Sequence, residues 1–496
     1  MDGCLLLLLH VLALLLLAVV VAAGGGAVVG RDSAVLQLRE LQWGSTRTRS
    51  TTVLELKHHS LTAIPDHPAA QEAYLRRLLA ADEARANSLQ LRNKAAFTQS
   101  GKKATAAAAA AAGAEVPLTS GIRFQTLNYV TTIALGGGGS SRAGAGNLTV
   151  IVDTGSDLTW VQCKPCSVCY AQRDPLFDPS GSASYAAVPC NASACEASLK
   201  AATGVPGSCA TVGGGGGGGK SERCYYSLAY GDGSFSRGVL ATDTVALGGA
   251  SVDGFVFGCG LSNRGLFGGT AGLMGLGRTE LSLVSQTAPR FGGVFSYCLP
   301  AATSGDAAGS LSLGGDTSSY RNSTPVSYTR MIADPAQPPF YFMNVTGASV
   351  GGAAVAAAGL GAANVLLDSG TVITRLAPSV YRAVRAEFAR QFGAERYPAA
   401  PPFSLLDACY NLTGHDEVKV PLLTLRLEGG ADMTVDAAGM LFMARKDGSQ
   451  VCLAMASLSF EDQTPIIGNY QQKNKRVVYD TVGSRLGFAD EDCSYA

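Results

Sequence analysis

A chain of 496 residues with 47% apolar and only 15% charged side chains carries enough apolar material for two buried cores, and too little charge for a disordered polyelectrolyte. From Gly113 onward 26 Lys/Arg face 30 Asp/Glu (26 − 30 = −4), which excludes phosphate binding as the main device of that region. The 61 glycines suit a β-rich protein with many tight turns.

Leu5 to Val21 is an apolar run broken only by His10, followed by Ala22-Ala23-Gly24. It reads as a secretory signal peptide over residues 1–23, although Asp2 is the one charge ahead of it; an uncleaved anchor is the alternative. No later stretch is long enough to span a bilayer, so no membrane span is expected once the signal is removed. Residues 24–112 read as a pro-segment. Within Gln71–Arg92, Tyr74, Leu75, Leu78 and Leu79 have helical spacing, with Arg76, Arg77 and Arg85 between them. The segment ends in Ser100-Gly101-Lys102-Lys103 and an alanine run, Ala106 to Ala112, that has no core-building pattern. The plainer alternative is a disordered or helical appendage.

β-type sequence begins near Val116, and Leu127–Leu135 reads as a strand ended by glycines. Val150-Ile151-Val152 then leads into Asp153-Thr154-Gly155-Ser156, with Trp160 close behind. A cysteine-dense insert (163–224) contains the glycine run Gly213–Gly219, a surface loop. Tyr230-Gly231-Asp232-Gly233-Ser234 is a hairpin turn, and Ala271–Gly277 an apolar strand punctuated by glycine. A proline-rich joint, Asp334 to Pro339, precedes an expected strand pair over Phe340–Val350. Val365-Leu366-Leu367 then leads into Asp368-Ser369-Gly370-Thr371, repeating the earlier design. Pro378–Phe392 is a helix with Val380, Tyr381, Val384, Phe388 and Phe392 on one face, and Pro465–Asn469 echoes Ala271–Gly277. The repetition predicts two lobes, 113–333 and 340–496, each offering one carboxylate.

Of 13 cysteines one, Cys4, lies in the leader. The others are Cys163, Cys166, Cys169, Cys190, Cys195, Cys209, Cys224, Cys259, Cys298, Cys409, Cys452 and Cys493. An even set behind an export signal reads as up to six disulfides of open connectivity. Sequons at Asn147, Asn191, Asn322, Asn344 and Asn411 indicate the same compartment, although Pro325 disfavours modification at Asn322. The Cys163-X-X-Cys166-X-X-Cys169 spacing could hold a metal, but secretion favours disulfides, so neither metal nor cofactor is expected. Gly347-Ala348-Ser349-Val350-Gly351 fits a nucleophile elbow, yet His415 is the single histidine after residue 67, and a β-turn is the simpler reading.

Apolar strands rarely end on an ionisable group without a use for it. Two carboxylates forced together share a proton and titrate as a pair. Such a pair can hold a water, one member taking its proton while the other polarises a carbonyl.

Asp153-Thr154-Gly155-Ser156 and Asp368-Ser369-Gly370-Thr371, with Tyr230-Gly231-Asp232-Gly233-Ser234 between them, resemble the pepsin-type aspartic proteases. The cysteine-rich insert and the Asp-Ser-Gly form of the second motif resemble the plant nepenthesin-like branch. The resemblance implies an all-β bilobal fold with a cleft between lobes and an acidic working pH. It implies Asp153 and Asp368 as the catalytic pair, Tyr230 with Gly231, Asp232 and Gly233 as the flap over substrate, and Trp160 as the tyrosine's packing partner. Ser156 and Thr371 match hydroxyls that bond the outer carboxylate oxygens, and Thr154 and Ser369 the pair that ties the lobes; Gly155 and Gly370 complete the two loops. Gly277 and Gly468 match glycines behind those loops. The expected function is a secreted aspartic endopeptidase made as a zymogen, acting as a monomer on protein or peptide substrates without nucleic acid. Its destination would be the apoplast or cell wall, with vacuole or endomembranes as further possibilities. The alternatives are an inactive inhibitor or binding protein on the same fold, and a chloroplast nucleoid DNA-binding protease. Both aspartates being present disfavours the first, and the acidic balance, leader and sequons disfavour the second.

Overall fold

The computed structural model describes residues 32–37, 67–95, 113–136, 146–211, 222–230, 233–301, 308–315, 320, 323–361, 363–393 and 396–493. The signal peptide, the alanine and glycine runs, Gly231, Asp232 and Asn322 lie outside the described residues. Strand is the commonest element among the described residues, and the two longest helices are Pro68–Ala95 and Pro378–Phe392.

Strand Gly146–Asp153 is buried from Leu148 to its end, as its unbroken apolar run requires of a strand covered on both faces. It lies between Tyr129–Leu135, antiparallel, and Gly272–Gly275, parallel, with Gly275 level with Asp153. In the second half Asn364–Leu367 is set the same way, antiparallel to Phe342–Val350 and parallel to Ile466–Ile467. The two aspartates thus leave equivalent places in two sheets. The expected strand pair over Phe340–Val350 is a single strand, Phe342–Val350. Its register shifts between Val345 and Gly347, so Gly347 sits at a bulge, while the expected β-turn falls at the other end of that motif, where Gly351 and Gly352 join the strand to its antiparallel partner Ala353–Val355.

A 15-stranded sheet carries the first half and an 8-stranded sheet most of the second. The last two strands return to the first sheet, where Lys475–Asp480 pairs against Val294–Cys298 and Arg485–Asp490 lies between Lys475–Asp480 and Ser327–Arg330. Cys298–Cys493 fastens that return. The insert is held by Cys163–Cys259, Cys166–Cys169, Cys190–Cys209 and Cys195–Cys224, and the second half by Cys409–Cys452. All three cysteines of the 163–169 spacing are therefore in disulfides. Helix Pro378–Phe392 buries Val380, Tyr381, Val384, Phe388 and Phe392, begins on proline and stops at Gly393, whose φ of +87° only glycine adopts cheaply. Among the sequon asparagines, Asn147 and Asn191 are exposed and Asn344 and Asn411 half-buried. No helix of the described residues is long and apolar enough to cross a membrane.

The described parts of the segment ahead of residue 113 are packed on the body. Strand Ser33–Gln37 pairs antiparallel with Glu417–Pro421. Helix Pro68–Ala95 buries Leu75, Leu78 and Leu79 in a cluster with Val372, Ile373, Phe403 and Leu406. Ala86 and Leu89 pack with Phe340, Phe342, Leu366 and Ile466. The helix therefore lies across the loop that follows Asp368.

Candidate active site

Each aspartate is fixed by its own turn. Asp153 Oδ1 accepts the Gly155 N–H at 2.9 Å and Oδ2 accepts the Ser156 hydroxyl at 2.6 Å. Asp368 repeats this with the Gly370 N–H at 2.9 Å and the Thr371 hydroxyl at 2.6 Å. Both carboxylates are fully buried.

The two turns interlock. The Thr154 N–H donates to Ser369 Oγ at 3.0 Å, and the Ser369 N–H donates to Thr154 Oγ1 at 2.9 Å. Each hydroxyl then donates to a carbonyl of the opposite strand, Thr154 to Leu367 at 3.4 Å and Ser369 to Val152 at 3.0 Å. The arrangement is nearly two-fold. It explains the glycines: a Cβ on Gly155 would stand 2.6 Å from Asp368 Oδ1, and one on Gly370 would collide with Asp153 Oδ1. Side chains at either place would push the carboxylates apart.

Behind the loops, Leu276 and Gly277 donate their N–H groups to the carbonyls of Asp153 and Ser156, both at 2.8 Å. Asn469, next to Gly468, donates to the Thr371 carbonyl at 2.7 Å. Tyr297 and Tyr479 share a buried hydrogen bond of 2.8 Å, and Tyr297 also donates to Gln472. Gln472 Nε2 reaches the Asp368 carbonyl at 3.5 Å and that of Ile467 at 3.0 Å.

Tyr230 closes the strand Glu222–Ala229 and begins the turn; its N–H donates to the Ser234 carbonyl at 2.8 Å and Gly233, at φ +80°, donates back at 3.1 Å. Trp160 Nε1 donates to the Tyr230 hydroxyl at 3.1 Å. Phe267 stands edge-on to both rings, 4.9 Å from Trp160 and 5.5 Å from Tyr230. Gly231 and Asp232 fall outside the described residues.

A cation from the helix occupies the pair. Arg85 Nη2 donates to Asp153 Oδ1 at 2.6 Å and to Asp368 Oδ2 at 3.1 Å, Nη1 reaches Asp153 Oδ2 at 3.3 Å, and Nε reaches Asp368 Oδ2 at 3.3 Å. Burial disfavours the charge on Arg85, but the two carboxylates outweigh it and raise its hold on the proton. Burial raises the pKa of Asp368; Arg85 pulls it down, the Asp153 charge pushes it up, and the Thr371 and Gly370 hydrogen bonds lower it. One helical turn earlier, Asp82 engages Val372, Ile373 and Arg375.

Of the expected site residues, the structure gathers Asp153, Thr154, Gly155, Ser156, Asp368, Ser369, Gly370 and Thr371 into one cluster, with Trp160 and Tyr230 on the first-half side. Arg85 stands out in the sequence only as one of several arginines on the helix, and Asp82, Phe267, Tyr297, Gln472 and Tyr479 carry no motif. Asp82 does leave a signal: it falls seven residues after Leu75, on the apolar stripe itself, where a helix on a core wants a hydrophobe.

Two sheets joined by interlocked aspartate loops, beneath a tyrosine-bearing turn, make a pepsin-like aspartic proteinase fold. The crystal structure of an aspartic proteinase from Irpex lacteus matches with a TM-score of 0.52 at 19% identity, over 78% of this chain and 99% of that one. That of edgp matches at 0.60 and 22% identity, over 78% and 96%. Family models described as Xylanase inhibitor N-terminal and Xylanase inhibitor C-terminal match residues 129–315 and 340–490. Aspartyl protease family protein At5g10770 of Arabidopsis thaliana is 37% identical over 454 residues, 91% of this chain and 89% of the relative. Aspartic proteinase nepenthesin-1 of Nepenthes gracilis is 34% identical over 355 residues, 70% and 75%. The chain belongs to the pepsin-like aspartyl protease family of plants, alongside the nepenthesins.

Proposed function

We propose that the chain is the zymogen of a secreted aspartic endopeptidase, with Asp153 and Asp368 as the catalytic pair and residues 24–112 as the pro-segment. The observation that carries this is Arg85. A helix laid in the cleft puts one guanidinium on both carboxylates, with its Nη2 2.6 Å from Asp153 and 3.1 Å from Asp368, where a bound water would otherwise sit. Six disulfides and exposed sequons fit an oxidising, extracellular or vacuolar destination.

With the helix gone, two buried carboxylates share a proton. The ionised member takes a proton from the water, whose oxygen forms a bond to the peptide carbonyl carbon. The protonated member gives its proton to the carbonyl oxygen, making a tetrahedral diol. In the collapse one diol hydroxyl gives its proton to the ionised member and becomes the carbonyl, while the C–N bond breaks and the amine nitrogen takes the proton of the other member, so the pair returns to its starting state. No covalent enzyme intermediate is needed.

A second reading, an inhibitor or binding protein without catalysis, is favoured by the names of the two matching family models. The intact hydrogen-bond set on both aspartates favours catalysis. The deciding experiment incubates the disulfide-bonded full chain with an unfolded protein across an acidic to neutral series, beside Asp153→Ala and Asp368→Ala, and sequences new N-termini. Acid-range cleavage with loss of the pro-segment, abolished in both variants, is the expected result. A wild type that neither processes itself nor cleaves the substrate sinks the proposal; equal cleavage by all three displaces the site.

A further inference from the structure

Besides Arg85, the helix makes a second buried ionic contact with the body, of opposite polarity. One oxygen of Asp82 accepts the Val372 N–H at 2.5 Å. The other accepts the Ile373 N–H at 3.1 Å and a guanidinium N–H of Arg375 at 2.9 Å. The site is sealed: Asp82 and Arg375 are 4% and 3% exposed. Arg375 is held in place by the enzyme body, because its Nη1 donates to the Ile373 carbonyl at 3.0 Å. Strand Thr374–Leu376 pairs on both sides, with Met455–Ser457 and Ile466–Ile467. Every group that receives the carboxylate lies just after Asp368, and none lies in the segment to be removed.

Departure of the helix therefore leaves two N–H donors and a guanidinium aimed into the cleft with their anion gone. Water can serve these donors while the cleft is open, but a peptide that covers them again leaves buried donors and a buried charge without partners, which is costly, so the place selects for a carboxylate that restores the contacts. Resting on the zymogen reading, we infer that Val372, Ile373 and Arg375 form a carboxylate-binding subsite that takes an Asp or Glu side chain of the peptide substrate. Arg375 is then a specificity-determining residue, and Asp82 is the pro-segment's imitation of that side chain. Asp82 precedes Arg85 by three residues, about 4.5 Å along a helix axis, and an extended peptide advances about 3.3 Å per residue. The acidic side chain accordingly belongs about one to three residues from the scissile bond.

The test uses full-length protein activated by acid, with release of the pro-segment verified by N-terminal sequencing. It cleaves C-terminally amidated peptides carrying Asp, Asn or Ala at successive positions on either side of one bond, above about pH 5 so that the side chains are ionised. The amidated ends leave side chains as the sole carboxylates. At one position, kcat/KM for Asp should exceed that for Asn by about tenfold or more, the scale of hydrogen bonds to a charged group. Arg375→Gln should bring that ratio to about one, and Arg375→Lys should restore part of it. If Arg375→Gln does not fold, the wild-type Asp/Asn ratio decides alone. Released pro-segment with no Asp preference at any position overturns the subsite while leaving the protease reading standing. A wild type that releases nothing and cleaves no peptide overturns that reading, and the subsite with it.

Discussion

Replacing Arg85 with glutamine removes the one positive charge between two fully buried carboxylates. Stripping one partner from a buried ion pair costs about 3–5 kcal/mol, because the remaining charge stays desolvated. Here the remaining groups are two acids that can share a proton, which returns part of that cost, so a net loss of about 2–4 kcal/mol is expected. Opening of the helix from the cleft should then become roughly 30- to 1000-fold more frequent. The helix keeps Leu75, Leu78 and Leu79, whose burial contributes roughly 1.5–3 kcal/mol each, so it opens more often without leaving. Hydrogen exchange at neutral pH reads this directly. Amides in the turns around Arg85 should exchange faster by that factor, while those of Leu148–Asp153 keep their protection. Unchanged exchange in the helix, or an acceleration spread evenly through the protein, would refute the idea that Arg85 holds the helix down.

Acid should act on the same contact. Burial raises the Asp368 pKa and Arg85 pulls it down, so that pKa is lower than the same buried carboxyl would have without the arginine. The contribution of the Arg85–Asp368 pair to helix binding is therefore complete above the pKa the carboxyl would have without Arg85 and lost as pH falls through the pKa it has with it; helix protection in wild type that keeps the same margin over Arg85→Gln from neutral to about pH 3 would contradict this. Thr154→Ala and Ser369→Ala each remove hydrogen bonds between the halves and should each lower stability by about 1–3 kcal/mol, with the double variant losing less than the sum, as measured by denaturant unfolding. Additive losses would mean the two hydroxyls do not act together. Tyr230→Phe deprives Trp160 Nε1 of its acceptor and should lower kcat/KM of the activated enzyme about tenfold with little change in unfolding midpoint; an unaltered kcat/KM would show the turn's tyrosine to be a packing residue only.

The candidate pair was legible because its determinants are local. Ser156 and Thr371 each stand three residues after an aspartate and bond it within the same turn. Helix Pro378–Phe392 was legible for a similar reason, since its period, its first proline and its terminal glycine all lie within one short stretch. The motif from Gly347 to Gly351 was legible only in part: its turn lies at Gly351, and the bulge at Gly347 depends on the partner strand Leu423–Leu427, which lies far away in sequence. Arg85 and Asp82 were not legible as site residues, since their partners lie 68 to 293 residues away in sequence. A charge on a helix ordinarily reads as solvated, and only the place of Asp82 among the leucines departs from that expectation. The cysteine pairing was open for the same reason: the Cys298–Cys493 bridge spans 195 residues.

The strand Ser33–Gln37, far along the chain from the cleft helix, alters how the cleft can be cleared. The helix is leashed at both ends, forward through the chain to strand Ala114–Ser120 and backward to a strand hydrogen-bonded onto Glu417–Pro421. On the zymogen reading, a single cut between the helix and Ala114 would make the pro-segment a bivalent ligand, whose helix rebinds at an effective concentration of order millimolar for as long as the strand stays paired. Clearance then follows the loss of both footholds together, so the first cut and the onset of activity should be separate events in time.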